Sequence, residues 1–210
     1  MGCAALQMTL LGVGAMNSPR YRPAGLAVRW AGHRVVLDGV DAGGGHVDAW
    51  LVCDERAELM PEIRRRSREL GVPAGAVEYC AAGVRLRPLP VEHTSHPTFG
   101  YLVEHREHRV VWAPEFWRFP DWAAGADLVF ADAAGWDRPI RFAGGVGGHA
   151  STVDTARRAS RAGVRRLVFA HIGRPSIRAI DRGLTPPFGE WGAEGRTYAV
   201  VSGRFRADRP

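Results

Sequence analysis

The sequence predicts an α/β fold, a mixed β-sheet system with helices outside it, on three observations. Short runs rich in β-branched and aromatic residues fill the first half. One helical pattern interrupts them, at about 57–70. In the second half strands and helices alternate, and strand–helix–strand order implies parallel pairing through right-handed crossovers. With 210 residues, 46% hydrophobic and 24% charged, the chain has the size of one domain and enough apolar content for a sizeable core. A single domain over 1–210 is the expectation.

Residues 8–13 and 26–30 read as strands around the polar, proline-bearing turn NSPRYRPAG. Residues 34–38 follow across Ala31-Gly32-His33, which reads as a hairpin. The strand at 49–53 ends in the charged stretch DERAE. Leu59, Ile63 and Leu70 then share one helical face, and Pro61 is tolerable because it falls in the first turn. Asp54 or Glu55 is positioned to cap that turn, so acids here need no function. Strands follow at 84–91, 100–104 and 109–113, then a short helical stretch near 120–124 and a strand at 127–131. The glycine-rich loop FAGGVGGHAS leads into a helix at 152–162, where Ser151 and Asp154 form a capping box and Gly163 is a natural stop. A strand at 167–170 closes the pattern.

No run reaches the roughly eighteen apolar residues of a membrane span, and the apolar start lacks a basic n-region, so a cytoplasmic protein is expected. Cys3, Cys53 and Cys80 are far apart and odd in number, which supports neither a disulfide framework nor a cysteine zinc site. The formal charge is +6, yet all 28 basic residues are arginine and spread along the chain. The arginine runs at 64–68 and 157–166 read as solvated helix faces, so nucleic acid is not the expected partner. A small-molecule substrate is expected, and a homodimer is left open.

Several acids and imidazoles fall just past apolar strands, His93, Glu115, Asp132 and His171, and His149 sits in the glycine-rich loop just before a helix. Ligands bind at that edge in α/β sheets, and histidine with carboxylate suits zinc, manganese or iron. Each residue alone is more often a hydrogen-bonded loop group. His96, His105 and His108 read as turn or surface residues. Trp112, Phe116, Trp117, Phe119 and Trp122 surround Glu115 in sequence and read as core and lid packing, or as an apolar wall beside a site.

The segments LPVEHTSHPTFGYLVE, RVVWAPE, DLVFADAAGW, GGHAST and RLVFAHIGRP, in that order, resemble the later half of metallo-β-lactamase-fold hydrolases, of the ribonuclease Z and cyclic-phosphate phosphodiesterase kind. GVGAMNSPRYRPAGLAVRWAGHRVVLDGV resembles the start of the same fold. The resemblance implies an αββα sandwich of two mixed sheets flanked by helices, with a metal site along one edge. It implies His93 as a ligand of a first metal, Glu115 in the place of a bridging aspartate, and His171 as a late ligand of a second metal. It also implies His149 as an acid near the scissile group and Asp38 as a structural aspartate. The family's HxHxDH signature is missing: Asp54, Arg56, Glu58 and Leu59 stand at its four ligand positions.

Three acids close together need a neutraliser, either a divalent cation or the Arg56 guanidinium. The first expectation is therefore an atypical hydrolase with one ion, zinc or manganese, held by Glu58, Glu115 and His171. His93 remains beside it, Asp54 and Arg56 join the catalytic set, and His149 protonates the leaving group of a phosphodiester, ester or lactone. The alternative is a metal-free, inactive member that binds a ligand or partner, with Arg56 in the metal's place.

Overall fold

Two seven-stranded sheets lie face to face in the computed structural model, which describes residues 5–201 and 204–207. The first half supplies strands β1 (Leu6–Gly12), β2 (Gly25–Trp30), β3 (His33–Asp38) and β4 (Ala49–Leu51), then helix α1 (Met60–Leu70) and the short β5 (Ala74–Gly75). Strands β6 (Tyr79–Ala81), β7 (Val84–Val91), β8 (Thr98–His105) and β9 (His108–Ala113) form a meander. After them come β10 (Leu128–Ala133), β11 (Ile140–Arg141), β12 (Gly148–His149), α2 (Thr152–Arg161), β13 (Leu167–Ile172) and α3 (Arg174–Asp181). β14 (Glu190–Trp191), β15 (Thr197–Val201) and β16 (Arg204–Ala207) finish the chain's elements. The first sheet runs β16-β15-β1-β2-β3-β4-β5 and the second β14-β13-β10-β9-β8-β7-β6.

Both sheets are mixed. β3, β4 and β5 pair in parallel, as do β9, β10, β13 and β14, while the rest are antiparallel. The expected hairpin is present: Trp30 opposes His33, and Ala31 and Gly32 turn the chain with φ of 43° and 85°. Positive φ at both turn residues gives the turn whose twist matches the strands.

Side-chain alternation explains why these strands read as continuous apolar runs. Val35, Leu37, Ala49, Leu51 and Cys53 enter the core between the sheets. Val36, Trp50 and Val52 point the other way and pack with Met60 and Ile63 of α1. A strand covered on both faces has no polar side to show. Helices α2 and α3 pack outside the second sheet, which completes the αββα order. Three arginines of α1 and α2 are tied to helix acids: Arg65 and Arg66 to Glu62, Arg65 also to Glu69, and Arg158 to Asp154.

The cap of α1 differs from expectation. Its N-cap residue is Leu59 and no side chain caps it, though proline does occupy the first turn. Asp54 instead accepts the Arg56 backbone N–H at 2.7 Å, and Glu55 accepts that of Ala76 at 3.0 Å. The acids organise the turn before the helix and leave the helix end alone. Ser151 behaves as expected and accepts the Asp154 N–H at 3.1 Å. Cys53 and Cys80 are free thiols, and Cys3 lies outside the described residues. No helix among the described residues is long and apolar enough to cross a membrane.

Candidate active site at the strand ends

The carboxyl ends of β3, β4, β9, β10 and β13 meet at one edge of the sandwich. The bridge between Gly14 and Ile172, with the Ile172 N–H on Val13 O, ties the two sheets together there. Two residues at this edge hold left-handed backbones without being glycine: Asp38, φ 51°, and His171, φ 56°. Such backbones cost on the order of 1–3 kcal/mol and persist where the surroundings over-determine them. Both residues line the same cleft of about 50 Å³, together with Asp54, Glu115, Ala57, Leu59 and Ile63.

Glu115 is the centre of the cluster. Its Oε1 lies 3.2 Å from His171 Nε2 and its Oε2 lies 3.6 Å from His93 Nε2. His93 is buried and its Nδ1–H donates to Gly148 O at 2.8 Å, which fixes the ring's orientation with Nε2 toward Glu115. His149 stacks on His171, ring centroids 5.1 Å apart at 23°. Its Nδ1 meets Asp132 Oδ2 at 2.8 Å.

The electrostatics separate the two stacked rings. Burial resists protonation of His149, but the charge and hydrogen bond of Asp132 outweigh it and raise its pKa above the usual value. Burial lowers the pKa of His171, and Glu115 and Asp132 only partly oppose it. Asp132 is fully buried, which disfavours its charge; His149 and the Ala134 N–H more than compensate, and its pKa falls. Asp38 accepts the Cys53 N–H at 2.8 Å and the Trp112 Nε1–H at 2.7 Å, yet burial pushes its pKa up to about 6. It is the structural aspartate that the sequence suggested.

The structure thus assembles His93, Glu115, His149 and His171. It does not assemble the rest. Arg56 is exposed, and its side chain forms no ion pair with the described residues. Glu58 is also exposed and does not line the cleft, so the set Glu58, Glu115 and His171 does not come together. Asp54 does line the cleft, but its partner is His96, whose Nε2 is 2.9 Å from both carboxylate oxygens. His96 read as a turn residue because its role depends on a segment 42 positions away. His108, also read as surface, is buried, 3.5 Å from Asp127. Asp132 stood out only as an acid near a strand end; its role as the support of His149 needs the fold. Phe116 and Phe119 are core residues, as expected.

An ion would need donors from more than one wall. Glu115 and His171 line the cleft, and His93 meets Glu115 from behind its lining, while Ala57, Leu59 and Ile63 add only apolar side chains to it. Each Glu115 oxygen faces one imidazole, so each half offers two donors, one short of a catalytic zinc site. Among the described residues no group of three or more His, Cys, Asp or Glu is placed to hold an ion. The residues do not fit the metal centre.

Residues 18–172 match the beta-lactamase superfamily domain. The chain belongs to this family. Its fold is that of the metallo-β-lactamases, shared with YhfI from Bacillus subtilis at 13% identity and a TM-score of 0.73 over 94% of this chain and 100% of that one. A new diphosphatase from the PhnP family aligns at 16% identity and 0.68, over 93% and 97%. Zn(2+)-bound PqqB from Methylobacterium extorquens aligns at 14% and 0.63, over 91% and 99%. At these identities the likeness is one of fold. By sequence, the chain has no significant match among curated proteins.

Proposed function

We propose that the chain is a hydrolase of a small ester, lactone or phosphodiester that works through acid–base side chains in the absence of the superfamily's HxHxDH ligands. The observation that carries this reading is the stacked pair of His149 and His171, one ring biased toward the imidazolium and the other toward the neutral form, above the Glu115 carboxylate. The imidazolium supplies the acid, and the neutral ring leaves the carboxylate beside it able to act as the base at the same pH.

Glu115, held by the His171 Nε2–H, takes a proton from water as it attacks. His149, its Nδ1 held by Asp132, gives the Nε2 proton to the leaving oxygen. His93 orients Glu115 from the other side. Ala57, Leu59 and Ile63 give the cleft an apolar side next to Glu115 and His171, and at about 50 Å³ the cleft admits the reacting group while the rest of the substrate lies outside it. Membership of a superfamily that includes a diphosphatase supports hydrolysis as the reaction class.

The test is hydrolysis of p-nitrophenyl acetate, bis(p-nitrophenyl) phosphate and an acyl-homoserine lactone by the parent, Glu115→Gln and His149→Gln, each with and without a chelator. Activity that survives the chelator and falls about 100-fold or more in both variants is expected. Activity that appears only with added zinc or manganese would restore the one-ion reading. Silence on all substrates would favour the second reading, a non-catalytic ligand-binding member. One observation favours that reading: His96 already occupies Asp54, and Leu59 fills a ligand position.

A further inference from the structure

The far end of the first sheet, away from the cleft, carries a concentration of unrelieved positive charge. Arg29 on β2 and Arg34 on β3 are direct cross-strand partners. Like charges placed directly opposite each other destabilise a strand pair. Neither guanidinium makes an ion pair with the described residues. Arg34 is buried; its donors end on carbonyl oxygens, those of Ala42 and of Gly44 at 2.8 Å, and its Nε is buried with no partner at all. Arg29 reaches the same Gly44 oxygen at 3.5 Å.

The nearby acids are already engaged. Asp48 accepts the Arg34 backbone N–H at 2.7 Å and lies 3.0 Å from His46 and 3.7 Å from His33. Asp41 accepts the Gly43 N–H and lies 3.6 Å from Arg22. Burial and then the charge of Arg29 lower the pKa of Arg34, and the charge of Asp41 only partly opposes them. A buried charge left without an opposite charge is costly, and an anion arriving there would remove that cost.

There is room for one. Gln7, Arg29, His33, Arg34, Gly44 and His46 line an open cavity of about 620 Å³, with no carboxylate in its wall. Ligand pockets fall in the range of about 300–1,000 Å³. Guanidiniums present planar forks suited to phosphate oxygens, and histidines add further donors. We propose that this cavity is a second binding site, for a small organic phosphate, with Arg29 and Arg34 as its anchors.

Pyrophosphate titrated into the full chain by calorimetry at low salt tests this. A dissociation constant of about 1 mM or tighter is expected for the parent. Arg29→Gln, at an exposed position, and Arg34→Gln should each weaken binding about tenfold or more. Arg157→Gln on α2 removes the same charge elsewhere and should bind as the parent does. No binding at about 10 mM would overturn the proposal. So would equal binding by Arg29→Gln, Arg34→Gln and parent, which would put the anion in the strand-end cleft or elsewhere. An equal loss in all three variants would reduce the effect to net charge and overturn it too. None of these outcomes depends on hydrolytic activity.

Discussion

Asp132 reaches His149 Nδ1 at 2.8 Å from a position with no solvent exposure, and it also accepts the Phe116 and Ala134 N–H groups at 3.1 and 2.8 Å. One carboxylate therefore fixes both the imidazole and the backbone that follows Glu115. In Asp132→Asn the hydrogen-bonding shape is nearly kept and the charge is lost. The His149 pKa is expected to fall below its parent value, read by NMR titration of the ring. Breaking a buried charged pair costs on the order of 3 kcal/mol, which chemical denaturation measures. An unchanged His149 titration would show that Asp132 does not set the charge of that ring.

The two stacked histidines should pull stability in opposite directions as pH changes. His149 has a raised pKa, so its contribution is fully present below the unfolded histidine value of about 6.5 and is lost as pH rises through the higher folded value. His171 has a lowered pKa, so the fold favours its neutral form and pays a growing cost below about 6.5. Asp132 adds stability above the usual carboxylate range, lost as pH falls through its lowered value. Relative to the parent, His171→Asn should therefore gain stability on going from about pH 8 to about pH 5, and His149→Asn should lose it. Denaturation curves across that range check the signs. Parallel curves for parent and both variants would refute the assignment.

Leu59, which the resemblance in sequence sets at the last position of HxHxDH, lines the same cleft as His171 and Glu115. Leu59→His should add a third donor to Glu115 and His171 and turn a poor site into a three-ligand one. Metal analysis and cobalt absorption should show well under one equivalent in the parent and about one in the variant. Removing His171 from the variant should abolish the gain. Stoichiometric metal in the parent would mean that the two-donor halves are supplemented by groups outside the cleft.

Most of the fold was legible because periodicity is local. The β2–β3 hairpin, α1, α2 and strands β7 to β10 each announce themselves within a dozen residues, through alternation, a turn pair or a cap. The short strands β5, β6, β11 and β12 and helix α3 did not, since two or three residues carry no period and the proline in RPSIRAID reads as a break. The site was half legible. His93 and Glu115 follow their own strands, His149 and His171 sit at the ends of theirs, and a resemblance in motif order points to all four. Asp54 with His96, and Asp132 with His149, are pairings across the sandwich. No local pattern predicts that an arginine two residues beyond Asp54 turns to solvent while a histidine on another loop takes its carboxylate.

Gly147 shows how the glycine-rich loop maintains that geometry. Its φ is 70°, and a Cβ built there would lie 1.8 Å from His93 O. The Gly148 N–H donates to that same oxygen at 2.8 Å, while Gly148 O receives the His93 ring. The loop and the histidine are thus joined through backbone and side chain, and only a residue without a side chain allows the approach. In Gly147→Ala, His93 must shift or the loop must open. The first outcome moves Nε2 away from Glu115; the second releases His149, which lies two residues on. Either should cost about 2 kcal/mol or more of stability and reduce catalysis more than Gly144→Ala, whose Cβ would meet nothing. Denaturation midpoints and rates for the two variants, side by side, separate a packing role of the loop from general strain. Equal behaviour of both would show that close approach at Gly147 is not what holds His93.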